Sequence, residues 1–178
     1  VAEELLCRAA VPLLVVRPSS SSTEAGPDPD FRGGIVALDL SLPAELVLGP
    51  VRDLALATQS HVTLVHSLDP VAPLPRDGRA RLRGEAQRYL DRVADRLRDE
   101  GLRVATRVLD QGTPAGSILS LLESGRADWV ALTPHGAGGA TNLMLGSVAD
   151  KVVRGTVKPV LLYRPAAPAP GQFRTTAL

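Results

Sequence analysis

The residues best suited to chemistry lie between Trp129 and Val153. An apolar run, Trp129 to Leu132, leads into a glycine-rich stretch, Gly136 to Gly139. Gly146 and Ser147 then open an apolar-periodic segment, Val148 to Val153. The order reads as strand, glycine loop and helix N-terminus. Such a junction can seat a phosphate, because the first N–H groups of a helix lack partners and its dipole places roughly +0.5 charge there. Glycine lets the backbone approach a ligand closely. A second short apolar run, Gly34 to Asp39, ends in a carboxylate. That carboxylate can face a ligand or cap a turn.

Other chemistry is missing. There is no Gly-x4-Gly-Lys-Ser/Thr, and Gly136 to Thr141 does not fit Gly-x-Gly-x-x-Gly, so neither a P-loop nor a dinucleotide fingerprint is present. Three histidines (His61, His66, His135) and one cysteine (Cys7) have no zinc spacing. Ser147 would need a base to act as a nucleophile. His135 is near in sequence, but loop formation and helix capping account for the two residues more simply. No catalytic residue and no protein-held metal site are expected. His66 reads as a strand-end histidine with a structural partner.

The surrounding chain supplies positioning elements. His61 to Ser67, Leu102 to Leu109 and Pro159 to Arg164 read as further strands. Pro43 to Thr58 has a helical pattern interrupted at Gly49-Pro50, so a helix either kinks there or begins with Pro50 in its first turn. Arg79 to Glu100 carries an apolar stripe of Leu82, Ala86, Leu90, Val93 and Leu97, with charges elsewhere, and Gly101 stops it. Its arginines read as a solvated, salt-bridged face. Thr113 and Pro114 have the types of an N-cap and first helical residue. Strands alternating with helices predict an α/β fold built on a doubly wound parallel sheet, with ligands at the carboxyl ends of the strands.

The spacing resembles the universal stress protein family, whose ATP-binding members carry Gly-x2-Gly-x9-Gly-Ser/Thr after the fourth strand. Gly136, Gly146 and Ser147 match it, whereas Thr133 stands at the first glycine position. A β-branched residue is poor where φ must be positive. The resemblance implies a five-stranded sheet of order 3-2-1-4-5 with helices on both faces, similar to adenine nucleotide alpha hydrolases. It implies a stress-response regulatory protein that binds ATP with Mg²⁺ and hydrolyses it slowly at most. Amides around Gly136, Gly146, Ser147 and Val148 would hold phosphates, and Asp39 the adenine or ribose end. Ala37, Ser67 and Leu132 match adenine-pocket positions, and Thr133 borders them. The alternative is a member that binds no nucleotide and acts through dimerisation and protein contacts.

Residues 1–18 hold an internal repeat. V-A-E-E-L-L-C-R-A-A-V-P-L-L-V-V-R-P aligns without a gap on V-A-D-K-V-V-R-G-T-V-K-P-V-L-L-Y-R-P at Val148 to Pro165, with Pro12/Pro159, Leu14/Leu161, Arg17/Arg164 and Pro18/Pro165 identical. The expected organisation is a helix–strand remnant of a preceding tandem domain (1–18), a linker (19–30), a nucleotide-binding domain (31–165) and a mobile tail (166–178). The chain begins with Val1, and an upstream part is expected. Eighteen residues cannot form a core alone, so their apolar residues must dock somewhere; the resemblance, to a family whose members commonly dimerise through their last strands, implies that Pro12 to Arg17 lies beside Pro159 to Arg164, or beside its copy in a homodimer or tandem pseudo-dimer.

The 178 residues suffice for one domain. A net charge of +1 and 3% aromatics argue against nucleic-acid binding. No run of about 20 apolar residues suggests a membrane span. A lone cysteine and no signal peptide suggest a cytoplasmic protein.

Overall fold

A computed structural model describes residues 9, 11–17, 31–68, 76–134 and 145–164. The expected linker (19–30), the tail (166–178), the helical part of the repeat and the loop from His135 to Met144, Gly136 included, lie outside the described residues.

Six strands form one sheet: β1 (Leu13–Val15), β2 (Gly33–Ala37), β3 (His61–Ser67), β4 (Arg103–Leu109), β5 (Trp129–Leu132) and β6 (Val160–Leu162). Their order is β1-β6-β5-β2-β3-β4. The pairs β2–β3, β2–β5, β3–β4 and β5–β6 are parallel, and β1 runs antiparallel to β6. Without β1, the order is the expected 3-2-1-4-5. The expectation of five strands is therefore corrected to six, because a free sheet edge offers unpaired backbone groups to any suitable segment. Leu13 and Val15 also pack partly buried against an existing core. The repeat thus stands beside Val160 to Leu162, as anticipated, and within the same chain.

The described helices are α1 (Leu42–Glu45), α2 (Leu48–Thr58), α3 (Arg76–Asp99), α4 (Pro114–Glu123) and α5 (Ser147–Gly155). Pro50 falls in the first turn of α2, where its missing N–H costs no helical bond. Two helices stand where one kinked helix was the other option. Gly101, at φ +91°, ends α3 in a left-handed conformation suited to glycine. Thr113 caps α4, its hydroxyl accepting from the Gly116 N–H at 3.2 Å.

Both faces of the sheet are covered, so β5 is buried at every position. One core joins Val36, Leu64, Trp129 and Leu161 to Val47, Val51 and Leu90; the other joins Ile35, Val65, Val130 and Leu162 to Ile118, Leu122 and Val152. Alternate strand residues feed opposite cores, as the two-residue period requires. Gly34 meets a close approach: a Cβ there would lie 2.1 Å from Cζ2 of the Trp129 ring.

Candidate functional site

β2 and β5 are neighbours at the centre of the sheet, paired at Gly34↔Trp129, Ile35↔Val130 and Val36↔Ala131. From this pair the chain departs in opposite directions, to β3 on one side and β6 on the other. Their carboxyl ends form the switch point at which doubly wound sheets bind ligands. Ala37 ends β2 half-buried and Leu132 ends β5 at 4% exposure. Asp39, exposed, and Thr133, half-buried, follow just beyond.

Ser67 ends β3, one strand farther along, opposite Leu109. Its Oγ is buried and has no hydrogen-bond partner among the described residues. An orphaned buried hydroxyl is costly and calls for an account. His66 meets the Leu38 carbonyl through Nδ1 at 2.9 Å, the structural partner expected for it. The Leu38 N–H donates to the Val65 carbonyl at 2.9 Å. The chain leaving β2 is therefore tied to β3 before it turns at Leu40, whose φ of 67° is unusual for a residue with a Cβ.

Asp39 has work within this turn. Its Oδ1 accepts from the Ser41 N–H at 3.0 Å and from the Ser41 hydroxyl. Ser41 caps α1, its Oγ accepting from the Ala44 N–H at 3.3 Å. The turn-capping role left open for this carboxylate is thus present.

On the other side, α5 points its N-terminus toward the end of β5. Gly146 is the N-cap, at φ −60° and ψ 152°, a conformation open to most residues. Its N–H donates to the Pro134 carbonyl at 2.7 Å. This bond clips together the chain on either side of residues 135–145. The Gly146 amide is therefore engaged with the protein. No side chain among the described residues caps α5. The amides of exposed Ser147 and half-buried Val148 lie in its first turn, where no intrahelical acceptor exists. Asp150 lies in this turn too and is paired with Arg154 at 2.7 Å.

The fold thus brings Ala37, Ser67, Leu132, Thr133, Gly146, Ser147 and Val148 to one end of adjacent elements, with Asp39 at the rim. Gly136 lies outside the described residues. Sequence reasoning missed the Pro134 carbonyl and the left-handed Leu40; neither a backbone acceptor nor a φ value has a residue signature here. It also missed a cluster behind α1: the Tyr89 hydroxyl donates to Glu45 Oε1 at 2.8 Å, and Arg96 pairs with the same carboxylate. Burial first, then donation to Glu45, raises the Tyr89 pKa well above its ordinary value. Of the α3 arginines, Arg81 pairs with Glu85, Arg98 with Asp95 and Arg83 with Asp110, the salt-bridged face expected.

No described helix is long and apolar enough to cross a membrane. Among the described residues no group of three His, Cys, Asp or Glu could hold a metal ion.

Residues 35–164 match the model of the universal stress protein family. A Thermus aquaticus universal stress protein, encoded beside a sulfhydrylase gene, is 30% identical over 75% of this chain and 99% of its own length. Universal stress protein MJ0531 of Methanocaldococcus jannaschii is 30% identical over 56% of this chain, and the match spans 61% of that relative. Among solved structures, hypothetical protein MJ0577 aligns with a TM-score of 0.69 at 24% identity, over 78% of this chain and 99% of its own. A universal stress protein of Archaeoglobus fulgidus DSM 4304 aligns at 0.66 and 21% identity, over 92% of this chain but 53% of its own. Another from Archaeoglobus fulgidus, in complex with dAMP, aligns at 0.59 and 23% identity, over 76% of this chain and 99% of its own.

Proposed function

This chain belongs to the universal stress protein family, and from that premise we propose that it is a regulatory protein of the stress response that binds an adenine nucleotide, ATP with Mg²⁺. The observation that carries this reading is the N-terminus of α5, which no side chain among the described residues caps, clipped by the Gly146–Pro134 bond to the end of β5 at the switch point. The buried Ser67 Oγ adds a polar atom that a base or ribose could satisfy. A structural neighbour solved in complex with dAMP supports the ligand class.

In this reading the amides of Ser147 and Val148, with the loop at Gly136, hold the phosphates. Gly146 keeps the helix entry in place and leaves it open. Ala37, Leu132 and Ser67 line the base, with Thr133 at the border. Asp39 offers its carboxylate to the ribose while Oδ1 holds Ser41. Mg²⁺ would neutralise the charge of the phosphates. In this reading turnover is slow at most and the protein works as a binder in the cytoplasm.

We also read residues 1–18 as the end of a preceding tandem copy, joined by a linker at 19–30. The repeat motivates this.

The test is calorimetric titration with ATP and Mg²⁺, repeated with Gly146→Val. Heat in the parent and its loss in the variant are expected; no heat at millimolar ATP ends the nucleotide reading. The second reading, a member acting through protein contacts alone, draws on Asp39 being engaged by Ser41 and on Thr133 at the first motif position. It would be favoured by that null titration.

A further inference from the structure

Helix α1 is too short to stand alone, since isolated helices below about 12 residues are marginal in water. Of its four residues, Leu42 to Glu45, only Ala44 is buried. Side chains hold it at both ends. At its start Ser41 Oγ accepts from the Ala44 N–H at 3.3 Å, and Asp39 Oδ1 accepts from the Ser41 N–H at 3.0 Å and from the Ser41 hydroxyl. At its end Glu45 Oε1 accepts from the Tyr89 hydroxyl at 2.8 Å, and Arg96 pairs with the same carboxylate. Between Asp39 and Ser41 the chain passes through Leu40 at φ 67°, a left-handed conformation that persists in a residue with a Cβ only while its surroundings impose it. The Leu38 N–H, bonded to the Val65 carbonyl, fixes this turn on one side. The Asp39–Ser41 bonds fix it on the other.

We propose that α1 is a conformational switch set by the nucleotide site, closed when a nucleotide meets Asp39 and free to open when none does. The proposal rests on the nucleotide reading above, in which a ribose hydroxyl donates to the Asp39 carboxylate. Asp39 is exposed, so without a nucleotide water competes with Ser41 for it. A bound ribose displaces that water, fixes the carboxylate and strengthens its bonds to Ser41 in drier surroundings. The cap on α1 and the turn at Leu40 are then secured together. Coupling of this kind is reciprocal: whatever holds α1 closed from its far end also holds Asp39 ready for the ribose. Tyr89 and Arg96 are thus positioning residues, acting on the ligand only through α1. The surface that changes is apolar, because Leu42, 79% exposed, and Leu46, 45% exposed, stand one helical turn apart along α1 and its C-cap.

The test is hydrogen exchange of the Ser41 and Ala44 amides, followed by NMR with ATP and Mg²⁺ beside the calorimetry. Saturating ATP should slow both about fivefold, the lower end of ordinary coupling between sites. Tyr89→Phe, which removes the bond to Glu45, should weaken ATP binding by a similar factor. That loss should vanish for 2′,3′-dideoxy-ATP, which lacks the hydroxyls that would meet Asp39; a merely structural role for Tyr89 would weaken both nucleotides alike. ATP binding with unchanged exchange, or equal losses for the two nucleotides, overturns the switch and leaves the nucleotide reading standing. No ATP binding at all ends both. A second measurement needs no ligand. Tyr89→Phe should speed exchange of the Ser41 amide, at the opposite end of α1, several-fold. A Ser41 amide that exchanges as in the parent would show the two ends to be independent, and overturns the proposal.

Discussion

The backbone N–H of Gly146 donates to the carbonyl of Pro134 at 2.7 Å, across an intervening segment of chain. This bond sets where α5 begins relative to the end of β5. Gly146→Pro removes the donor while keeping φ near the observed −60°. It is expected to lower stability by about 1 kcal/mol, with a larger proportional loss of ATP affinity, because the amides proposed to hold phosphate shift. Gly146→Ala keeps the N–H and should be close to the parent in stability. Urea denaturation and calorimetry of both variants check this.

Ser67 separates ligand-free stability from binding. Its buried Oγ has no partner among the described residues, and an unmade buried hydrogen bond costs about 1–3 kcal/mol. Ser67→Ala should therefore leave the free protein as stable as the parent or up to ~1 kcal/mol more so. The same change should weaken adenine-nucleotide binding several-fold. A variant clearly less stable without ligand would show the hydroxyl to be satisfied within the protein.

Gly34→Ala tests packing at the central strand pair. The added carbon would stand 2.1 to 2.5 Å from three atoms of the Trp129 ring, itself at 0% exposure. A ring enclosed on all sides cannot yield cheaply, and overpacking of this kind costs about 1–3 kcal/mol or more. Thermal and urea midpoints should both fall, and Trp129 fluorescence should report the same transition.

Tyr89 supplies a pH dependence. Its folded pKa is raised above the ordinary 10.0, first by burial and then by donation to Glu45. Below the unfolded value both states are protonated and the contribution is fully present. As pH rises past about 10 the unfolded state loses its proton first, so stability falls with pH. The parent should lose stability above pH ~10 more steeply than Tyr89→Phe. Denaturation midpoints from pH 8 to 11 in both proteins measure the difference.

Capping of α4 is a simpler case. Thr113→Ala removes the acceptor for the Gly116 N–H and should cost about 1 kcal/mol, with Thr113→Ser restoring most of it.

What could be read in the chain, and what could not, divides along a physical line. Leu82, Ala86, Leu90, Val93 and Leu97 repeat at the helical period, and α3 is there. His61 to Ser67 has strand composition, and β3 has those bounds. Thr113-Pro114 and Gly101 mark helix ends because their side chains, or the lack of one, act on adjacent backbone. Such features are local, so residue type carries them. The repeat of Pro12 to Arg17 in Pro159 to Arg164 is likewise written in residue identity.

Tertiary structure decided the rest. That β1 turns antiparallel onto β6, with Leu14 against Leu161, depends on pairing across most of the chain. That Asp39 spends one carboxylate oxygen on Ser41, and Gly146 its amide on Pro134, depends on backbone groups that every residue owns. A hydrogen bond to a main-chain carbonyl leaves no mark on the identity of its acceptor. The sequence by itself therefore determined the elements and their order; only the folded chain decided which strand ends meet and which polar groups remain for a ligand.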